Sequence, residues 1–424
     1  MPGLDQPAGH RGRRTPAAQS GEPTNLPSQP RLAQWLVILS SAAGVLGVQL
    51  ISPLLPAMQV ALNLSTEQTG AIVSAYSVAA LLATLPAGYL ADRVGDRTVL
   101  LWSLIVFGLS GLATVLLHSI EPLLVARVIQ GVAFAALVPL TIGVLVDVVG
   151  PQRRAHAQSY RVAAMSGAEF VLPLAAGFLV SLTGHWQVPF LLFAIPLVLA
   201  VLVRRTLPQG AVQYQPLQRG QFRPQLILAA RDPMIISLFL VGFVRWWLKY
   251  GFFTFMPLYL YATLHADVAV IGAVVAVQGL LGAVVSSQTG RLGSGRRARA
   301  VLVCSTVLMG ASVAALPLAH SLTWAVAMSI LLGIADGLAG PLMNGLVGNL
   351  PRPEVRTTVI AISGTGRNLG KAVAPGLIGV LIAASGYDIG FIVTGALGLA
   401  APLYLRPLWA GHKSAVPSPP RPSH

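Results

Sequence analysis

The sequence contains one cysteine, Cys304, which excludes an intramolecular disulfide and a thiolate metal cage. Acidic residues are scarce, 13 in 424, and charged residues of both signs make up only 10% of the chain. No Gly-x-x-x-x-Gly-Lys-Ser/Thr loop occurs, so ATP-driven pumping by this chain alone is excluded. The eight histidines form no cluster with metal-ligand spacing; neither a metal nor a cofactor is expected, and no enzymatic signature is present. Residues 1–30 lack an apolar core, so no cleavable signal peptide is expected there.

Apolar residues are what the chain has in excess. They make up 54% of it, and the mean hydropathy is +0.72, more than a soluble domain can bury. Six apolar segments occupy the first half, roughly 34–56, 67–90, 98–118, 121–147, 156–182 and 187–205. Six more follow at roughly 233–260, 268–290, 299–319, 322–348, 357–383 and 388–406. Each meets the ~20 residues that a membrane helix needs. The landmarks repeat at an offset of 202 residues: Gly70 with Gly272, Gly88 with Gly290, Gly131 with Gly333, Pro139 with Pro341, Pro173 with Pro375, Gly177 with Gly379 and Gly184 with Gly386. Two like-built halves meeting at a central site are characteristic of transporters. The expected organisation is therefore an all-α membrane protein with twelve transmembrane helices in two pseudo-symmetric six-helix bundles. These bundles are 31–206 and 233–406, joined by a cytoplasmic linker, 207–232. Disordered, Pro/Gly/Ser/Arg-rich tails are expected at 1–30 and 407–424.

The net charge of +15 does not indicate a nucleic-acid partner. Of 28 Lys and Arg, 22 lie in the tails and in the loops after even-numbered helices, while Glu67, Glu121, Asp267 and Asp388 occupy the opposite loops. This positive-inside asymmetry places both termini in the cytoplasm of a plasma (inner) membrane protein. The Arg11–Arg14 cluster is read as part of a solvated tail, with contact to anionic lipid as the other reading.

The loop after the second helix reads Gly88-Tyr-Leu-Ala-Asp92-Arg93-Val-Gly95-Asp96-Arg97, with a weaker echo, Gly290-Arg-Leu292, in the second half. It resembles the signature of the major facilitator superfamily. Arg127-Val-Ile-Gln130-Gly131 on the fourth helix is similar to a second motif of that family, and Asp147 before Arg153-Arg154 fits it as well. Ala168-xxx-Leu172-Pro173-xx-Ala176-Gly177 resembles a degraded form of the motif of drug exporters. The resemblance covers 31–406 and implies a monomeric secondary transporter of the bacterial multidrug efflux type. It also implies a cytoplasmic gate of Gly88, Asp92, Arg93, Gly95, Arg97 and Asp147, in which Arg93 and Arg97 pair with Asp147. Asp96 departs from the pattern, standing where a basic residue is usual. Arg127 lies where the family has a residue tied to proton movement; pairing with carbonyls of a neighbouring helix is the alternative.

Ionisable groups at mid-bilayer cost roughly 2.5–3.5 kcal/mol each by insertion scales, so they face cavities or one another. Glu169 and Asp336 lie near mid-span and are the candidate proton carriers, a static salt bridge being the other reading. Six basic residues fall within the spans: Arg127, Arg161, Arg245, Lys249, Arg367 and Lys371. Arg245 and Lys249 stand at i, i+4, as do Arg367 and Lys371, so each pair shares a helix face. These four, with Trp246 and Tyr250 from a seventh helix rich in aromatics, are expected to line the substrate cavity. Their positive excess points to an anionic substrate. Tyr259 and Tyr261 are expected in the interfacial belt. Gly364-Thr-Gly366-Arg-Asn-Leu-Gly370 superficially matches a dinucleotide fingerprint but follows no strand, and reads as close helix packing.

The resulting expectation is proton-coupled export of amphipathic small molecules by alternating access, with the proton gradient as energy source. Its partners are a small-molecule substrate and the lipid bilayer. Proton symport of an organic anion, a lipid flippase or scramblase, and a non-transporting sensor remain as alternatives.

Overall fold

A computed structural model describes residues 30–149, 153–207, 232–289, 295–318, 320–348 and 353–409. The expected tails and linker fall largely outside these residues, and the Gly290–Leu292 echo falls wholly outside them. The described residues are helical throughout, with no strand among them. The helices are α1 (Arg31–Ala61), α2 (Thr66–Val94), α3 (Asp96–Ala113), α4 (Ile120–Val149), α5 (Arg154–Thr183) and α6 (Val188–Thr206). In the second half they are α7 (Pro233–Leu264), α8 (Val268–Thr289), α9 (Arg296–Ala315), α10 (Leu322–Gly348), α11 (353–385) and α12 (387–399).

Local chemistry sets the helix ends. Ser65 caps α2 with a reciprocal capping box, its Oγ accepting from the Gln68 N–H while the Gln68 side chain accepts from the Ser65 N–H. Asp232 caps α7 ahead of Pro233, whose missing N–H costs nothing at a first helical position. Among the described residues, eleven helical segments are long and apolar enough to span a membrane, the last being Val359–Tyr404. At ~1.5 Å per residue those 46 residues would reach about 69 Å, more than twice the ~30 Å hydrocarbon core. Gly386, at φ 83 and ψ 168, breaks that run into α11 and α12, in keeping with twelve spans.

Glycines bring the helices of each half together. Gly366 and Gly370 of α11 sit against the carbonyls of Phe239 and Phe243 on α7, which accounts for the Gly364–Gly370 pattern as packing. Gly310 of α9 meets Gly395 and Gly398 of α12 in the same way.

Between the halves, α2 packs on α11 and α5 on α8. The chain ends and the loops after even-numbered helices define one face, here termed the termini face. The inter-half contacts gather towards the other: Ser74 Oγ accepts from the Gly376 N–H at 2.7 Å, and Ser52 Oγ donates to the Phe253 carbonyl at 2.5 Å. Nearer the termini face, a Cβ on Gly88 or Gly167 would meet nothing within 4 Å. The halves are joined on one side and parted on the other.

Candidate functional site

The centre of the molecule is organised by α7. Arg245 and Lys249, one turn apart, both turn towards Asp336 on α10. Arg245 Nε lies 2.6 Å from Asp336 Oδ1 and Lys249 Nζ 3.0 Å from Oδ2. With both oxygens engaged and the side chain 9% exposed, Asp336 is held as a paired carboxylate. Lys249 Nζ also lies 3.6 Å from Glu169 Oε2 on α5, and Glu169 keeps 29% of its side chain exposed. The chain Arg245–Asp336–Lys249–Glu169 thus runs from the second half into the first, and Glu169 is its loosely held end.

Two cavities meet at this chain. A central one of about 440 Å³ lies between α2, α4, α5, α7 and α11, with Tyr76, Phe134, Trp246 and Tyr250 among its aromatic walls. Its charged lining is Arg161, Glu169, Arg367 and Lys371. A side chamber of about 250 Å³ lies between α5, α7, α8 and α10, lined by Arg245, Lys249, Gln278, Ser286, Asp336 and Asn344 among others. Ser166, Glu169, Trp246 and Arg367 border both spaces.

Trp246 is the platform of the site. Lys371 Nζ stands 3.8 Å from its ring centroid, Lys249 Nζ 5.1 Å and Arg245 Cζ 5.3 Å, and the Tyr250 ring meets it edge-on at 5.6 Å. A cation over an indole face is stabilised by the ring quadrupole, so the indole lets three basic side chains gather around a single ring. Among the described residues, Arg367 and Lys371 form no ion pair.

The candidates from the sequence divide accordingly. Trp246, Tyr250, Arg367 and Lys371 line the central cavity. Arg245 and Lys249 do not: they lie in the side chamber and are occupied by Asp336, because the α7 face they share points at α10. Arg161 is buried, with Nε donating to Gln158 at 2.8 Å and Nη1 to Ser41 at 3.3 Å. Arg127 is 1% exposed and stands apart from the charge chain. Its guanidinium donates to the carbonyls of Gly47 at 2.6 Å and Ile72 at 3.4 Å and to Gln130 Oε1, and lies 4.6 Å from the Tyr76 ring centroid. Tyr259 is not in a lipid-facing belt: it is 1% exposed, with its hydroxyl 3.1 Å from His320 Nδ1 and its ring edge-on to Tyr387 and Phe391.

The gate residues gather at the turn between α2 and α3, where Gly95 takes φ 90. The expected pairing with Asp147 is not formed in this conformation. Arg93 stacks on Tyr89 at 4.5 Å and Arg97 donates to the Arg204 carbonyl, while Asp92 and Asp147 are exposed. Arg93 and Arg97 are instead engaged by partners within the same half, Tyr89 and the Arg204 carbonyl. Asp96 Oδ2 approaches α4 instead, 3.7 Å from where a Cβ on Gly143 would stand.

Sequence reading missed Gln278. Its amide N and O are both buried without a hydrogen-bond partner, at 2% exposure. The available signal was an amide at mid-span of α8, whose other polar residues gather in its last turn at Ser286–Thr289.

An all-helical membrane protein whose halves enclose a charged, aromatic-walled cavity open on one side is a transporter of small molecules. The profile of the Major Facilitator Superfamily matches residues 37–292 and 234–423, and the chain belongs to that family. A relative from Bacillus subtilis, "Uncharacterized MFS-type transporter YceJ", is 29% identical over 342 residues, covering 78% of this chain and 84% of its own length. "Multidrug resistance protein 2" of the same organism is 28% identical over 34% of this chain and 36% of its own. The "3-(3-hydroxy-phenyl)propionate transporter" of Escherichia coli is 32% identical over 47% and 49%. Among solved structures, a point variant of the nucleoside transporter NupG matches with TM-score 0.75 at 15% identity, over 88% of this chain and 99% of its own, a likeness of fold. The family resemblance expected from Gly88–Arg97 and Arg127–Gly131 is thereby established, including the likeness to multidrug efflux proteins.

Proposed function

We propose that this protein exports amphipathic small molecules from the cytoplasm in exchange for protons, by alternating access, and favours substrates that carry negative charge. The observation that carries this reading is the central cavity. Its aromatic walls suit a flat, greasy ligand, while Arg161, Arg367 and Lys371 outnumber the single carboxylate, Glu169. Since Arg245, Lys249 and Asp336 satisfy one another, Glu169 is the acid free to take and lose a proton. In this reading both termini are cytoplasmic, the protein acts as a monomer in the plasma membrane, and the conformation described is open inwards. Asp92, Arg93, Arg97 and Asp147 then draw together when the inner side closes.

The test is proton movement in everted, respiring vesicles on addition of cationic, neutral and anionic amphiphiles, with Glu169→Gln as comparison. Collapse of the pH gradient by anionic amphiphiles, absent in the variant, is the expected result. No collapse with any compound would exclude the exchange. A second reading, proton-coupled uptake of an aromatic organic acid, draws on the same cationic cavity and on the partial similarity to the 3-(3-hydroxy-phenyl)propionate transporter. It predicts inward accumulation in right-side-out vesicles.

A further inference from the structure

We infer that the side chamber between α5, α7, α8 and α10 is a separate, water-filled proton exit, so that Glu169 can discharge its proton to the cytoplasm while substrate occupies the central cavity. This rests on the proton-exchange reading of the same site.

The first support is that the chamber is polar where an empty cavity would be apolar. Gln278 presents a buried amide whose donor and acceptor are both unpartnered, and the Trp246 indole N–H at the chamber's edge is unpartnered too. Water meets both needs of an amide at once, whereas a bare ion meets only one. A volume of about 250 Å³ holds several waters at ~30 Å³ each. Asp336 is already neutralised by Arg245 and Lys249, and Glu169 faces Lys249 at 3.6 Å, so the chamber's basic groups outweigh its acids and disfavour a metal cation.

The second support is the chamber's course. It runs from Gln278 and Asp336 at mid-span to Ser286 and Asn344, close to the ends of α8 and α10 at Thr289 and Gly348 on the termini face. Glycines keep it in shape: a Cβ on Gly340 would strike the Arg245 guanidinium at 2.8 Å, and one on Gly279 would meet the Glu169 carbonyl at 3.0 Å.

The third support is the dividing wall. Glu169 and Trp246 border both spaces, so one carboxyl faces substrate on one side and chamber water on the other. The charged groups around Glu169 are Lys249 and Arg245 from α7, Asp336 from α10, and Arg367 and Lys371 from α11; α8 contributes the neutral Gln278. An anion entering beside Arg367 and Lys371 opposes ionisation of Glu169, so discharge leans on Lys249 Nζ, 3.6 Å away on the chamber side, and cannot use the space the anion fills. The discharge route must therefore be one that the substrate does not fill. The O–H bond of the Glu169 carboxyl breaks as a chamber water takes the proton and forms a new O–H bond, the proton then passes along water to the termini face, and Lys249 takes up the new carboxylate as its partner.

Cysteine accessibility tests the two routes without any substrate. In a Cys304→Ser background, Ser286→Cys reports the side chamber, with Asn344→Cys as a second reporter, and Thr84→Cys reports the central cavity. Each is reacted with a charged, water-soluble thiosulfonate, with and without a central plug made by Ala80→Trp and Val138→Trp. The expected result is at least tenfold slower reaction at Thr84→Cys with the plug, and unchanged reaction at Ser286→Cys and Asn344→Cys. Unreactive chamber cysteines, or reactivity that falls together with Thr84→Cys, would overturn the inference. In vesicles, Gln278→Leu should slow proton-linked transport at least tenfold while substrate-for-substrate exchange continues. An equal loss of both would remove Gln278 from the route. If Glu169→Gln leaves proton movement intact, the exchange reading fails, yet the accessibility result still decides whether the chamber is wet and separate.

Discussion

Gly70 of α2 sits directly on the carbonyl of Pro375 on α11, leaving no room for a side chain. Gly272 of α8 sits on the carbonyl of Pro173 on α5 in the same way. The two pairs are related by the 202-residue repeat, each glycine of one half seated on a proline of the other. A proline inside a helix leaves the carbonyl one turn earlier without its usual partner and bends the helix. The seam therefore joins two proline-containing helices to two helices that carry no side chain at the crossing.

That seam holds the side opposite the termini closed. Gly70→Ala or Gly272→Ala would place a methyl group against a main-chain carbonyl, which cannot turn aside as a flexible side chain could. Overpacking of this kind costs typically ~1–3 kcal/mol, enough to shift a two-state equilibrium by about fivefold to a hundredfold. Spin labels at Glu67 and Ala384, at the ends of α2 and α11 away from the termini face, should show a longer distance population in each variant. An unchanged distribution in a folded variant would show that this contact does not set the closed side.

Asp336 and Glu169 should differ sharply when neutralised. Asp336→Asn leaves Arg245 and Lys249 beside an uncharged amide in a buried site, and breaking a buried pair costs ~3–5 kcal/mol. A large fall in thermal stability of the detergent-purified protein, with poor yield, is expected. Glu169→Gln removes only the 3.6 Å contact of a partly exposed carboxylate, so its stability should remain near wild type while proton-linked transport is lost. Equal stability losses would contradict the assignment of Asp336 as the fixed member and Glu169 as the exchanging one.

How far the sequence revealed all this depended on the physical range of each signal. Spans, loops and repeat were legible because apolar length and helix-breaking residues act locally: α2 and α4 fall within a few residues of their expected limits. The i, i+4 spacing placed Arg245 with Lys249 on one face of α7, but could not say that the face points at α10 rather than at the cavity. Tyr259 was misread for the same reason. An aromatic residue near a helix end suits both a lipid interface and a buried cluster, and only the position of His320, Tyr387 and Phe391 decides between them. The motif places Arg93, Arg97 and Asp147 at one end of the first half, but spacing alone does not name the competing partners, the Tyr89 ring and the Arg204 carbonyl.

Substrate charge selection should follow Arg367 and Lys371 rather than Arg245 and Lys249. A hydrogen bond to a charged group contributes ~1.5–3 kcal/mol, so Arg367→Gln or Lys371→Gln should raise the KM for an anionic amphiphile by about tenfold or more. Transport of a neutral amphiphile should change little. The measurement is initial-rate transport of an anionic and a neutral probe across the two variants. An equal effect on both probes would show that these residues shape the cavity and do not select for charge.

Arg127 provides the last contrast. Its guanidinium ties α1 to α4 through the Gly47 carbonyl and α2 to α4 through the Ile72 carbonyl, with Gln130 and the Tyr76 ring completing its surroundings. A lysine cannot reproduce a planar fork that donates in several directions. Each buried carbonyl left unpaired costs ~1–3 kcal/mol. Arg127→Lys should therefore lower thermal stability markedly, yet the folded fraction should transport with the proton-to-substrate ratio of wild type, because the group makes no contact with Glu169 or Asp336. Stability alone does not decide the point, so the ratio is measured alongside it, as proton flux per substrate moved in vesicles. A variant of unchanged stability but altered ratio would place Arg127 in the proton route after all and would require a water path from it to Glu169.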